Sequence, residues 1–228
     1  MKAGLKPRAE LELDGLALDP YCKLYLPLWK LDGDSFMSKD AYGHLCTNHG
    51  SIWILQGRSF DGVDDYVDCG SPPSLYQTPN NQWTIMAWVK PSELTGLRNI
   101  VRKNASGNGY YLRNNAGSIQ SLLHWSDGTY TPRLGGTFSL GIWQHVAIVY
   151  DGNVRKHFKD GVEVGSWTEN KTLSFETTAF VAIGRNSTGD SEYWNGLIDE
   201  VRIYNRALTS EEIKAHFLGA RVPKVRQL

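Results

Sequence analysis

The chain has 228 residues, with 8 Trp, 11 Tyr and 7 Phe, 23 Gly and 9 Pro, and 24 basic side chains balanced by 24 acidic ones. That length holds one large domain or two small ones with a sizeable core, and 41% hydrophobic with 21% charged residues excludes a disordered, collagenous or coiled-coil chain. A formal net charge of zero lacks the basic footprint of a protein that binds by neutralising phosphates, so nucleic acid is not expected as a partner.

Residues 1–20 open with Lys2, Lys6 and Arg8, carry the alternating acids Glu10, Glu12 and Asp14, and read as an N-terminal arm. They hold no apolar run of signal-peptide length, and nowhere do about 18 apolar residues follow one another, so neither an export signal nor membrane insertion is expected. Synthesis in the cytoplasm, followed by release in virion-associated or extracellular form, is the localisation that this reading implies. Cys22, Cys46 and Cys69 are odd in number and widely spaced, fitting neither a disulfide framework nor zinc knuckles, and are read as reduced and buried. The glycosylation triplets at Asn104, Asn170 and Asn186 are read as chance matches in polar turns.

From Tyr21 onward, short β-branched and aromatic runs alternate with Gly, Asn and Asp, the pattern of an antiparallel all-β domain. The Asp-Gly pairs at Asp127, Asp151 and Asp160 supply the positive φ of tight turns, and the segment around Asp160 and Gly161 is predicted to be a hairpin. In WTIMAWVK (83–90) alternation places Ile85, Ala87 and Val89 on one face, with Trp83, Met86 and Trp88 less regularly on the other. Several strands are therefore apolar on both faces, as in a two-sheet sandwich with covered flanks. One short helix is predicted over 209–217, where Thr209 and Glu212 form a capping box ahead of Ile213, Ala215, His216 and Phe217, with Gly219 as its stop. The sandwich is expected over about 24–206 within a domain of 21–218, with a core of Trp29, Phe60, Ile85, Ala87, Val89, Val146, Ile148, Val181, Ile183, Val201 and Ile203. Residues 219–228 read as a C-terminal tail.

The segments WKLDGD (29–34), DAYGHLCTNHGSI (40–52), FDGVDDYVDCG (60–70), WTIMAWVKP (83–91), WQHVAIVYDG (143–152), FKDGVEVGS (158–166), VAIGRN (181–186) and WNGLIDEVRIYNRALTSEEI (194–213) stand in a characteristic order. The chain resembles the laminin G-like branch of the concanavalin A-like lectin and glucanase superfamily over roughly 24–217, most specifically in the last segment. The resemblance implies a jelly-roll β-sandwich of two antiparallel sheets with one short C-terminal helix. It leaves function open among lectins, carbohydrate-binding modules, adhesion domains, virion proteins and glycosidases.

A glycosidase needs two carboxylates across one scissile bond, and the one run of three alternating acids, Glu10, Glu12 and Asp14, precedes the sandwich. Asp199 and Glu200 are adjacent, and a regular strand would send them to opposite faces. No G-x-S-x-G, H-E-x-x-H or phosphate-loop motif occurs, so no catalytic residue is assigned. His44, His49 and Cys46 lack a fourth local zinc ligand and read as loop residues. Asp199 alternates with Leu197, Val201 and Ile203 and is predicted to be buried, so it requires compensation. Two readings stand: backbone N–H bonds that tie the end of the sandwich to the 40–52 loop, or the structural Ca²⁺ that the resemblance implies, with Asp40 and Asn48 as further oxygen ligands. For carbohydrate, the aromatics placed in turns are Trp125, Tyr130, Tyr193 and Trp194.

The leading functional expectation is a non-catalytic binding or assembly module. It would be a structural or decoration component of a larger assembly such as a virion, forming homo-oligomers or joining other subunits through its arms. The alternative is a lectin-like module recognising surface glycans, with glycoside hydrolysis a remote third.

Overall fold

In a computed structural model of the chain, the described residues are 19–76, 81–105, 107–174 and 176–219. The expected N-terminal arm, with its ELEL segment, and the C-terminal tail fall outside these, apart from Asp19, Pro20 and Gly219.

Among the described residues sixteen strands follow in order. The first six are β1 (Cys22–Leu26), β2 (Ser35–Met37), β3 (Leu45–His49), β4 (Ile52–Ile54), β5 (Gly57–Asp61) and β6 (Tyr66–Asp68). Five longer ones come next: β7 (Trp83–Pro91), β8 (Leu97–Ala105), β9 (Asn108–Asn115), β10 (Ser118–His124) and β11 (Tyr130–Thr137). The series closes with β12 (Gln144–Tyr150), β13 (Val154–Lys159), β14 (Val162–Thr168), β15 (Ala182–Ile183), β16 (Asn195–Tyr204) and helix α1 (Ser210–Gly219). They form two antiparallel sheets in jelly-roll fashion. The first runs β14-β13-β12-β7-β16-β5-β4, with β1 also on β16, and the second runs β11-β10-β9-β8-β15-β6-β3-β2.

The inner faces of both sheets make one core. Ile85, Ala87, Val89, Val146, Ile148, Ile198, Val201 and Ile203 from the first meet Val67, Val101, Leu112, Leu123 and Ile183 from the second. Ten of the eleven expected core residues are in this cluster; the exception is Trp29, which is only half-buried because Leu28 turns inward in its place. Trp83 also lies on the inner face with Ile85, because parity along an unbroken strand is strict, whereas Met86 packs on the outer side.

The outer face of the first sheet is covered as well. Met86, Ala147, Val149, Phe158 and Tyr204 pack under Ile213 of α1 and against Cys22 and Tyr25 of β1, which is why β12 is buried along its whole length. The capping box holds α1 at its start: Thr209 N–H donates to Glu212 Oε2 at 2.8 Å, and Glu212 N–H donates to Thr209 Oγ1 at 3.2 Å. The β13–β14 hairpin turns through Asp160 at φ 51 and Gly161 at φ 76, the left-handed pair that a two-residue turn demands.

β16 does not keep a regular alternation. Its register with β7 slips between Asp199 and Arg202, and Glu200 sits at φ 51. This is a β-bulge: the extra residue flips the parity, so Ile198, Val201 and Ile203 all face the core. Asp199 is buried, but on the outer face beneath the turn after β1, not inward with Val201 as strict alternation predicts. The bulge presses on β5, where Gly57 at φ 138 leaves no room for a side chain; a Cβ there would lie 2.7 Å from the Ile198 carbonyl oxygen.

Candidate functional site

The structure separates the three residues expected to share a calcium ion. Asp40 Oδ1 accepts the N–H of Tyr42 at 2.8 Å and of Gly43 at 3.2 Å, while Oδ2 accepts the N–H of Tyr25 at 3.0 Å. Asn48 bonds both ways with Ser51, taking its hydroxyl and donating to its carbonyl. Asp199 Oδ1 accepts the N–H of Trp29 at 3.2 Å and of Glu200 at 2.7 Å, so its partners lie in the turn after β1 and not in the 40–52 loop. Burial, with the adjacent Glu200 charge, pushes the Asp199 carboxyl well above the ordinary range. Each of the three side chains is bonded within a turn of its own, so the set does not fit a shared Ca²⁺ ion. His44 and His49 part likewise, the first bonding the Lys23 carbonyl at 2.9 Å and the second stacking on Tyr66 at 4.1 Å.

Because of the bulge, Asp199 and Glu200 lie together and not on opposite faces. Glu200 accepts the Trp29 indole N–H at 2.9 Å and pairs with Arg202 at 2.8 Å. The pair holds Trp29 in place.

The four turn aromatics divide two and two. Trp125 is 1% exposed and Trp194 fully buried; Trp125 packs on Tyr150, and Trp194 meets Phe138 edge-on, so neither offers a face to sugar. They are core because each chain segment re-enters the sheet beside them. Tyr130 is 61% exposed next to His124, and Tyr193 is half-buried over Arg185. Beside Tyr193, Glu192 Oε2 receives Arg102 and Arg113, each at 3.0 Å, and Asn99 at 2.7 Å, with Tyr111 between the two guanidinium groups. That network is internally paired.

A cleft of about 310 Å³ opens where the chain passes between the two sheets. Its walls are Asp32 and Asp34 from the β1–β2 connection, Asn48 of β3, Ser51, Trp53 of β4 and Arg58 of β5. Arg58 is buried and forms its floor: Nη1 donates to the Ser51 carbonyl at 2.9 Å, and Nη2 to the carbonyls of Leu31 at 2.9 Å and Gly33 at 3.0 Å. Burial pulls its pKa down, and the charges of Asp32 and Asp34 oppose that. The guanidinium thus ties the three loops around the cleft with a cation that the chain itself supplies. Trp53 is half-buried, its indole N–H donating to the Trp29 carbonyl at 2.9 Å, so the ring is fixed while the N–H is consumed. Asp32 and Asp34 are exposed at the rim. A fixed indole beside exposed carboxylates and an amide suits a polyhydroxylated ligand, and the volume lies at the small end of ligand clefts, about 300–1,000 Å³.

Apart from Asn48, read as a calcium ligand, these residues carry no local signal because they converge from distant segments. The one local hint was the Asp-Gly-Asp turn at 32–34, with Gly33 at φ 92.

The fold and the cleft define a laminin G-like jelly-roll domain with a small polar recess at one end. The family Laminin_G_3, described as the concanavalin A-like lectin/glucanases superfamily, matches residues 61–214, and the chain belongs to it. Among solved structures, it is similar to the binding domain of Paraclostridial Mosquitocidal Protein 1, at a TM-score of 0.69 and 13% identity over 86% of this chain and 52% of that one. It is similar to the receptor binding domain of botulinum neurotoxin D, at a TM-score of 0.68 and 14% identity over 87% of this chain and 52% of that one. The botulinum neurotoxin serotype G binding domain gives a TM-score of 0.68 and 13% identity over 86% and 50%. The chain thus spans about half the length of these structures, and at such identity the likeness shows the fold alone.

Proposed function

We propose that this chain is a non-catalytic binding module that takes an uncharged glycan unit in the Asp32–Trp53 cleft. One observation carries the reading: a half-buried indole, locked by its own N–H, stands beside Asp32, Asp34 and Asn48 in a recess of about 310 Å³. Sugar rings stack on aromatic faces while planar polar side chains receive their hydroxyls. Two rim carboxylates over one buried guanidinium leave the recess negative, which disfavours sialylated or sulfated sugars. The similar structures are themselves a binding domain and a receptor binding domain, which supports this class. Catalysis is not part of the proposal, because a general acid needs a carboxyl kept protonated by burial, and Asp32 and Asp34 are exposed.

The test is a glycan array on the full chain, followed by calorimetry of Trp53→Ala and Asp32→Asn/Asp34→Asn on the best neutral hits. Affinity should fall at least tenfold in each. Equal binding by Trp53→Ala, or a preference for anionic glycans, would reject the site, and release of reducing sugar would reject the non-catalytic reading.

A second reading, assembly with like subunits, has its own support. Met37 and Leu45 face each other across the β2–β3 pair at the edge of the second sheet, 48% and 61% exposed, with Tyr42 44% exposed in the connecting loop. Native mass measurement of the wild type and of Leu45→Lys separates this reading from a monomeric lectin.

A further inference from the structure

Cys46 and Cys69 are far apart in sequence and adjacent in the fold. β3 pairs with β6 antiparallel, with Thr47 opposite Asp68, and one further step of that register brings Cys46 opposite Cys69. Both side chains belong to the inner core, at 0% and 1% exposure, so they point the same way. The Cys46 thiol reaches the His44 carbonyl at 3.7 Å. Facing residues on antiparallel strands hold their Cα atoms about 4.5–5.5 Å apart, within the roughly 4.4–6.8 Å that a disulfide spans. Cys22 lies elsewhere, in the outer cluster, its thiol donating to the Leu24 carbonyl at 3.3 Å.

We propose that Cys46 and Cys69 are a redox pair that closes to a cross-strand disulfide in the presence of a small disulfide oxidant of the glutathione class. One cysteine, as thiolate, attacks a sulfur of the oxidant and displaces one glutathione thiolate, leaving a mixed disulfide. The second cysteine attacks the protein sulfur of that bond and releases the second glutathione. Two protein thiols are oxidised, the oxidant is reduced to two thiols, and the two protons pass to the departing thiolates.

Access is the step that sets the rate. Burial raises the Cys69 thiol well above its ordinary range, and the closed core shields both sulfurs from an oxidant. β2 and β3 form a short hairpin at the end of the second sheet, where local opening costs less than global unfolding, and opening that edge exposes Cys46 first. Once formed, the bond would join β3 to β6 and enclose the segment that carries Asn48, Trp53 and Arg58, fixing the frame of the cleft. The inference does not depend on what the cleft binds.

The full chain is incubated with oxidised glutathione, with and without urea below the unfolding transition, then denatured and alkylated. Titratable thiols should fall from the three present to one, the mass should drop by about 2 Da, and peptide mapping should link Cys46 to Cys69. Cys22→Ser should oxidise in the same way. Cys46→Ser and Cys69→Ser should stop at a glutathione adduct, and the oxidised wild type should melt at a higher temperature than the reduced form. Three thiols remaining after incubation in both conditions, or a linked peptide containing Cys22, would overturn the proposal. The wild-type map decides the question even where a serine variant fails to fold.

Discussion

Asp199 and Glu200, neighbours on a bulged strand, both hold Trp29: the first accepts its backbone N–H at 3.2 Å, the second its indole N–H at 2.9 Å. Removing the Asp199 carboxylate strands the N–H groups of Trp29 and Glu200 in a buried turn. Asp199→Ala should therefore lower stability by about 1–3 kcal/mol. Asp199→Asn, which keeps an acceptor oxygen and relieves the repulsion with Glu200, should cost less than half of that. Urea unfolding of the two variants checks the ranking, and equal losses would show that packing and not hydrogen bonding matters there.

Buried histidines make the fold acid-sensitive. Burial, reinforced by Arg202, pushes His145 down to about 3 and His216 to about 2 beneath helix α1; burial with Arg155 pushes His157 to about 3. Each stays neutral in the folded chain but binds a proton near pH 6.5 once unfolded, so its contribution is complete above about 6.5 and is lost as pH falls toward the folded value. His124 is lowered by burial as well, whereas Asp199, shifted up, has the opposite sign; the histidines outnumber it, so stability falls as pH drops below about 6. Stability from urea titrations at pH 7.5, 6 and 5 should fall accordingly, and His216→Phe should flatten the curve.

Gly57 occupies φ 138 with the Ile198 carbonyl 2.7 Å from where a Cβ would stand. Gly57→Ala combines backbone strain with a clash against main chain and should destabilise by at least about 2 kcal/mol. A melting temperature within a degree of wild type would mean that β5 shifts freely against β16.

Arg58 carries the loops of the cleft. Arg58→Met leaves the carbonyls of Leu31, Gly33 and Ser51 without their donors and should cost about 1–3 kcal/mol. Calcium should not restore the variant, and a chelator should leave the wild-type melt unchanged. Rescue of Arg58→Met by millimolar Ca²⁺ would show that positive charge beside Asp32 and Asp34, and not the hydrogen bonds, holds the loops.

Much of the architecture was legible from pattern alone. Ile85, Ala87, Val89, Val146 and Ile148 alternate on uninterrupted strands, and Asp160-Gly161 and the Thr209–Glu212 pair signal their turn and cap through local chemistry. Asp199 was legible as buried but not as to its face, because one residue at left-handed φ inverts every later assignment on the strand and leaves no mark in the composition. Trp125 and Trp194 stand next to turn residues yet point inward, which flanking sequence does not reveal. The cleft was invisible for a third reason: residues 32–34, 48–53 and 58 meet only after two sheets are stacked, and no spacing rule connects them. The Cys46–Cys69 contact likewise required the β3–β6 register.

The cleft has walls of different parentage. Trp53 and Arg58 belong to the first sheet, Asn48 to the second, and Asp32 and Asp34 to the strap of chain that crosses from one to the other. Mechanically it is a joint. A ligand seated there is gripped by both layers at once, so sliding one sheet over the other must either deform the ligand's contacts or expel it. An occupied recess would stiffen the sandwich at the end where the chain threads between its layers.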